Sequence, residues 1–167
     1  GVYASSQTVT LSSSTPGAII HYTINGGAPT QESPTYTGPI SVTNSIALRT
    51  RVFAAGYFPS DVKTEEYTLL NPNVAGFSSP LPLVIVDSFN QAIVTDMNPK
   101  AMCNLTVIDV DAGTGRAAFT SRLNFHGRAG IEGRGQTSAN FNKRPMNIEI
   151  RDENDQDMKV PLLDMPA

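Results

Sequence analysis

The chain has 167 residues, a net charge of −3 and a pI near 5.3, so it offers no basic field for nucleic acid or for an anionic membrane surface. Charged residues make up 16% and hydrophobic residues 40%, and 13 glycines and 12 prolines punctuate the chain too often for long helices. The single cysteine, Cys103, excludes an internal disulfide, and no apolar run nears the ~18 residues of a membrane span, so no direct membrane insertion is expected.

Val9 and Leu11 alternate with Thr8, Thr10 and Ser12 and predict a first strand. Ser14-Thr15-Pro16-Gly17 predicts a turn, residues 18–25 a second strand, and Gly26-Gly27 a turn that uses positive φ. Residues 29–39 read as a loop, 40–42 as a short strand, 46–54 as a cleanly alternating strand and 63–69 as the closing strand. Strands at this spacing predict an antiparallel sandwich. His21 has no second His or Cys at metal-ligand spacing, so a packed or solvent-facing imidazole is expected there. Tyr22, Tyr36 and Tyr57, with Phe58, are candidate walls of a carbohydrate groove. Core and loop packing is the commoner fate of such rings, and the absence of tryptophan removes the best stacking platform.

This half resembles the immunoglobulin-like domain found at the end of chitobiases and hexosaminidases. The resemblance is carried by His21-Tyr22-Thr23-Ile24-Asn25-Gly26-Gly27 with Pro29-Thr30, by Tyr36-Thr37-Gly38-Pro39-Ile40, by the strand over residues 48–54 and by Gly56-Tyr57-Phe58-Pro59-Ser60. Asn25 stands where that family has aspartate, a swap that keeps a turn-favouring side chain. The resemblance implies an immunoglobulin or fibronectin III-like accessory domain over residues 1–70, a spacer or a carbohydrate-binding module.

Asn71-Pro72-Asn73 breaks the pattern and reads as a linker. Residues 83–86 (LVIV) predict a strand buried on both faces, and residues 92–95 a short strand. Residues 102–110 alternate and should cover a core, with Cys103 a buried, inert thiol. Residues 119–126 predict a strand with Arg122, Asn124 and His126 on one face and Leu123 and Phe125 on the other. In residues 145–151, Met146, Ile148 and Ile150 alternate with Asn147, Glu149 and Arg151. The acidic runs 109–113 and 152–157 lack a complete calcium loop and are expected to be solvated turns, so no metal site is assigned. No nucleophile, base and acid trio can be drawn around His21 or His126, so no catalytic residue and no cofactor is assigned.

Before the last strand, Gly133 and Gly135 bracket Arg134, and Lys143-Arg144 follows a few residues on. Two readings stand: solvated or paired cations, or an anion site of guanidinium forks and glycine-flanked amides. The run from Gly130 resembles the opening of the spore-coat kinase-like (CotH) family through Arg134-Gly135-Gln136-Thr137-Ser138, Lys143-Arg144-Pro145-Met146 and Leu162-Leu163-Asp164-Met165-Pro166. Met146 stands where that family has an aromatic, and Asp164 where it has glycine. The resemblance implies that residues 73–167 are the β-rich start of such a domain, cut before its catalytic region. It makes Arg134, Lys143, Arg144 and Gly135 candidate phosphate-binding residues, with nucleotide a partner only of a longer, full-length protein.

Together these readings predict an all-β chain of two sandwich-like domains in tandem. The expected protein is a non-catalytic, extracytoplasmic (secreted or cell-surface) bacterial accessory protein whose partner is a glycan or another cell-envelope component. A carbohydrate-binding module proper, or part of an atypical kinase, are the alternatives.

Overall fold

The computed structural model describes residues 1–95, 99–135 and 143–165. Gln136, Thr137 and Ser138 of the arginine-glycine motif, and Pro166, lie outside the described residues. The expected all-β class holds: every regular element among the described residues is a strand. The chain divides into two compact units, Gly1–Pro72 and Asn73–Ala167.

The first unit contains β1 (Val2–Tyr3), β2 (Gln7–Val9), β3 (Ile19–Thr23), β4 (Ile40–Val42), β5 (Ile46–Phe53) and β6 (Lys63–Leu69). They form a four-stranded sheet in the order β1-β6-β5-β3 and a two-stranded sheet β2-β4. All pairings are antiparallel except β1 with β6, which is parallel and which the sequence does not announce. Alternation along β5 sends Leu48, Thr50 and Val52 to one face and Ala47, Arg49 and Arg51 to the other. Both faces are covered near the middle: Val42, Ala47 and Leu48 are buried, and so is Arg49. Arg49 satisfies its guanidinium by donating to Thr64 Oγ1 at 3.1 Å and to the Gly26 carbonyl at 3.0 Å. A charge so deeply placed is tolerable only with such partners. Gly26 turns the chain at φ 78, while Gly27 is held by the Asn25 side chain, whose Oδ1 accepts its N–H at 3.1 Å. One glycine of the pair thus uses the left-handed region.

The second unit contains β7 (Ser78–Ser79), β8 (Leu83–Asp87), β9 (Ala101–Ile108), β10 (Ala117–Ala118), β11 (Leu123–Gly133) and β12 (Met146–Ile150). Its main sheet is antiparallel in the order β12-β11-β9-β8, with β10-β7 a separate pair. One face of that sheet carries Ala101, Cys103, Leu105, Val107, Ala129 and Ile131, packed against Ile93, Ile148, Ile150, Leu162 and Leu163. The other carries Asn104, Thr106, Arg128 and an ionic group in which Lys100 Nζ meets Glu149 Oε1 at 2.5 Å and Glu132 Oε1 at 3.2 Å.

Three expectations need correction. Residues 83–86 are not buried on both faces: β8 is an edge strand, and Val84 is 59% exposed. Residues 92–95 form no strand of their own; Thr95 makes only a single bridge to Gly133. The strand expected over residues 119–126 starts later and runs much further, through three glycines to Gly133.

Candidate functional site

In the first unit the loop after β5 is pinned from several sides. Gly56 takes φ 78, and the Tyr57 N–H donates to the Ala54 carbonyl at 3.2 Å. Ser60 closes the loop: its N–H donates to the Val52 carbonyl at 3.0 Å, and its Oγ accepts the Val52 N–H at 3.0 Å. Arg51 Nε donates to the Ser60 carbonyl at 2.8 Å. The result is a fixed turn that presents Tyr57, 68% exposed, and Phe58, 97% exposed. A phenylalanine left in water at the tip of an ordered turn contributes nothing to the core, and exposed rings of this kind mark contact surfaces.

Beside that turn is a shallow cavity of about 200 Å³ lined by Ser13, Thr15, Val52, Ala54, Tyr57, Phe58 and Ser60. Val52 and Ser60 also line a second, larger cleft of about 500 Å³. Its floor is the face of the sheet that carries Ile20, Leu48, Thr50 and Val52, and one wall is the chain from Val9 to Ser12. Along the other side Asp61, Lys63, Glu65 and Tyr67 stand at alternate positions entering and along β6. Burial pushes the Tyr67 hydroxyl above its usual range, with Tyr3 and Glu65 adding to the shift; the Tyr3 and Tyr67 rings stack at 5.6 Å.

Of the three candidate tyrosines, Tyr57 is on the exposed turn, whereas Tyr22 and Tyr36 are half-buried and line neither cavity. Tyr36 belongs to the loop crossing β3, its N–H donating to the Ile20 carbonyl at 2.8 Å. His21 is buried, with Nδ1 2.6 Å from the Ser33 carbonyl and its ring edge-on to Phe53, so it packs the loop against the sheet.

In the second unit Arg134 and Arg144 line one small cavity, about 150 Å³, together with Ile93, Val94, Thr95, Gly133 and Met146. The backbone beneath is fixed by the Gly133 N–H donating to Val94 and the Arg134 N–H donating to Pro145, at 2.9 and 2.8 Å. Gly135 takes φ 83, a backbone region open to glycine, and Lys143 is exposed outside the cavity lining. The acidic runs are turns whose carboxylates accept backbone N–H groups. Asp111 Oδ1 accepts from Thr114, and Asp152 Oδ1 from Asn154 and Gln156, all within 2.9 Å. Those bonds, chiefly from Thr114, hold the Asp111 carboxyl below its usual range. Among the described residues no group of three or more His, Cys, Asp or Glu side chains is placed to share a metal ion. No helix among them is long and apolar enough to cross a membrane.

The first unit is therefore a small two-sheet β-domain with an exposed aromatic turn beside an apolar-floored cleft. Residues 1–64 match the family model of the chitobiase/beta-hexosaminidase C-terminal domain, so the first unit is similar to a carbohydrate-related accessory β-domain. No curated protein and no solved structure matches the chain.

Proposed function

We propose that the chain is a non-catalytic, extracytoplasmic accessory protein of bacterial type whose first unit holds a glycan. The Tyr57–Phe58 turn is the observation that supports this reading most: two rings held in water on a turn closed by the backbone bonds of Tyr57 and Ser60, in the stretch that matches the family model. Pyranose rings present apolar C–H faces, and an exposed aromatic recovers part of its hydration cost by covering one. The second unit then acts as a β-layer of the kind its CotH-like motifs imply, joined to a glycan-holding module at the cell envelope. Probing a glycan array with the whole chain tests this. Retention of a defined set of glycans is expected; a blank array would sink the reading.

A second reading is favoured by one observation, that Arg134 and Arg144 line the same cavity beside Gly133. Two guanidinium groups around so small a space suit a phosphate rather than a whole nucleotide, the rest of which would be held elsewhere in a full-length protein. Arg134→Gln should leave stability within about 1 kcal/mol, as for an exposed charge. In full-length protein it should weaken Mg-ATP binding at least tenfold, about 1.4 kcal/mol. Equal dissociation constants for wild type and variant would remove the phosphate seat.

A further inference from the structure

We infer that the cleft between residues 9–12 and the β3-β5-β6 face is a subsite for a neutral oligosaccharide, continuing the Tyr57–Phe58 platform along the domain. The inference rests on the glycan reading above and adds to it a place and a class of sugar. Its volume, about 500 Å³, lies within the ~300–1,000 Å³ usual for small-ligand sites. The cleft and the platform cavity meet at Val52 and Ser60, so one extended chain can run from the rings into the cleft.

The lining suits an amphipathic, polyhydroxylated ligand. Val9, Leu11, Ile20 and Val52, half-buried over the buried Leu48, supply an apolar floor for the C–H face of a sugar ring. Around it Asp61 and Glu65 offer carboxylate acceptors to sugar hydroxyls, and Lys63 between them offers an ammonium donor. All three charged side chains are exposed and, among the described residues, make no hydrogen bond or ion pair with another side chain. Their hydrogen-bonding capacity is therefore open to a ligand, at little cost in broken internal contacts. Ser60 differs: its hydroxyl is already spent on the Val52 N–H and the Asp61 carbonyl, so it fixes the rim.

Charge selects among sugars. Two carboxylates face one ammonium along this edge, so an acidic glycan would bring its own carboxylates against Asp61 and Glu65. A neutral chain meets no such repulsion. Calorimetric titration of the whole chain with chitopentaose and cellopentaose, both neutral, and with pentagalacturonate, which is acidic, tests this. Wild type should bind at least one neutral pentamer at least tenfold more tightly than the acidic one. The double variant Asp61→Asn/Glu65→Gln should weaken neutral binding at least tenfold, narrow the gap to the acidic pentamer and leave Tm unchanged. Lys63→Gln, a single exposed change, provides the same loss of neutral binding should the double variant melt early. Loss of binding in Phe58→Ala with full binding in the Asp61, Glu65 and Lys63 variants would overturn the cleft and leave the glycan reading standing. Preference for the acidic pentamer would overturn the cleft assignment as well. Binding of none of the pentamers, together with a blank glycan array, would overturn both.

Discussion

Cys103 illustrates how position sets chemistry at the residue scale. It lies in the apolar face of β9, and burial pushes its thiol up to about 12; the Arg151 guanidinium offsets part of that shift and Asp87 adds to it. Thiolate, the reactive form, is then scarce at neutral pH. Ellman's reagent should leave the native chain unlabelled and titrate one thiol after unfolding in guanidinium; rapid labelling of folded protein would contradict this packing. Lys100 shows the opposite case. Hydrogen bonds from its ammonium to Glu149 and then Glu132 raise its pKa above the ordinary 10.5, against a smaller opposing effect of desolvation. A group whose pKa is higher in the folded chain stabilises fully below the unfolded value and loses that contribution as pH rises through the folded one. Wild-type Tm should therefore fall above pH 10.5 more steeply than that of Lys100→Met. Parallel pH profiles would show that the triad contributes nothing to folding.

These residue environments were unevenly legible in the chain. Alternation alone places Cys103, Leu105 and Val107 together on an inward face, and the absence of a second ligand-type residue makes His21 a packing group. The cleft lining carries no such mark. Its residues come from β2, β3, β5 and β6, and the one local trace is the spacing Asp61-x-Lys63-x-Glu65, which by itself also describes a solvated strand. Asp164, standing where the resembled pattern has glycine, is left-handed at φ 60 beside Leu163 at φ 51. Short acidic side chains tolerate that conformation better than most, so the substitution keeps the turn.

At the scale of elements, glycine misleads most. Gly127, Gly130 and Gly133 read as breakers, yet all lie within β11. Each removes a Cβ where a neighbour comes close: the Phe125 ring at Gly127, the Arg151 guanidinium at Gly130 and Thr95 at Gly133, at 3.1, 2.8 and 3.3 Å from where that atom would sit. Local propensity cannot distinguish a glycine that turns the chain from one that admits a crossing side chain. The apolar run of β8 fails for a related reason, since composition does not record whether a second strand lies beyond an edge. Gly56 is the converse, a true turn glycine at φ 78 with open space around its missing Cβ. Gly56→Ala meets no clash there but forces an L-residue into the left-handed region, at roughly 1–2 kcal/mol. Chemical denaturation should read that loss, and glycan affinity should fall with it as the aromatic turn shifts. An unchanged midpoint and unchanged affinity would mean that the turn does not depend on this conformation.

For the molecule as a whole, the short strands, frequent breakers and low charge density all point one way, and the all-β fold follows from them. The proposed function depends less on that frame than on what stands outside it: two rings on a pinned turn and a cleft with a charged rim, both in the unit whose residues 1–64 match the chitobiase/beta-hexosaminidase C-terminal domain. The most direct test of the glycan-holding account is calorimetric titration of a glycan retained on the array into wild-type chain, Phe58→Ala and Tyr57→Ala. Because both rings are exposed, the account predicts unchanged Tm in either variant and at least a tenfold loss of affinity in Phe58→Ala, about 1.4 kcal/mol. Identical affinities for all three proteins would contradict it.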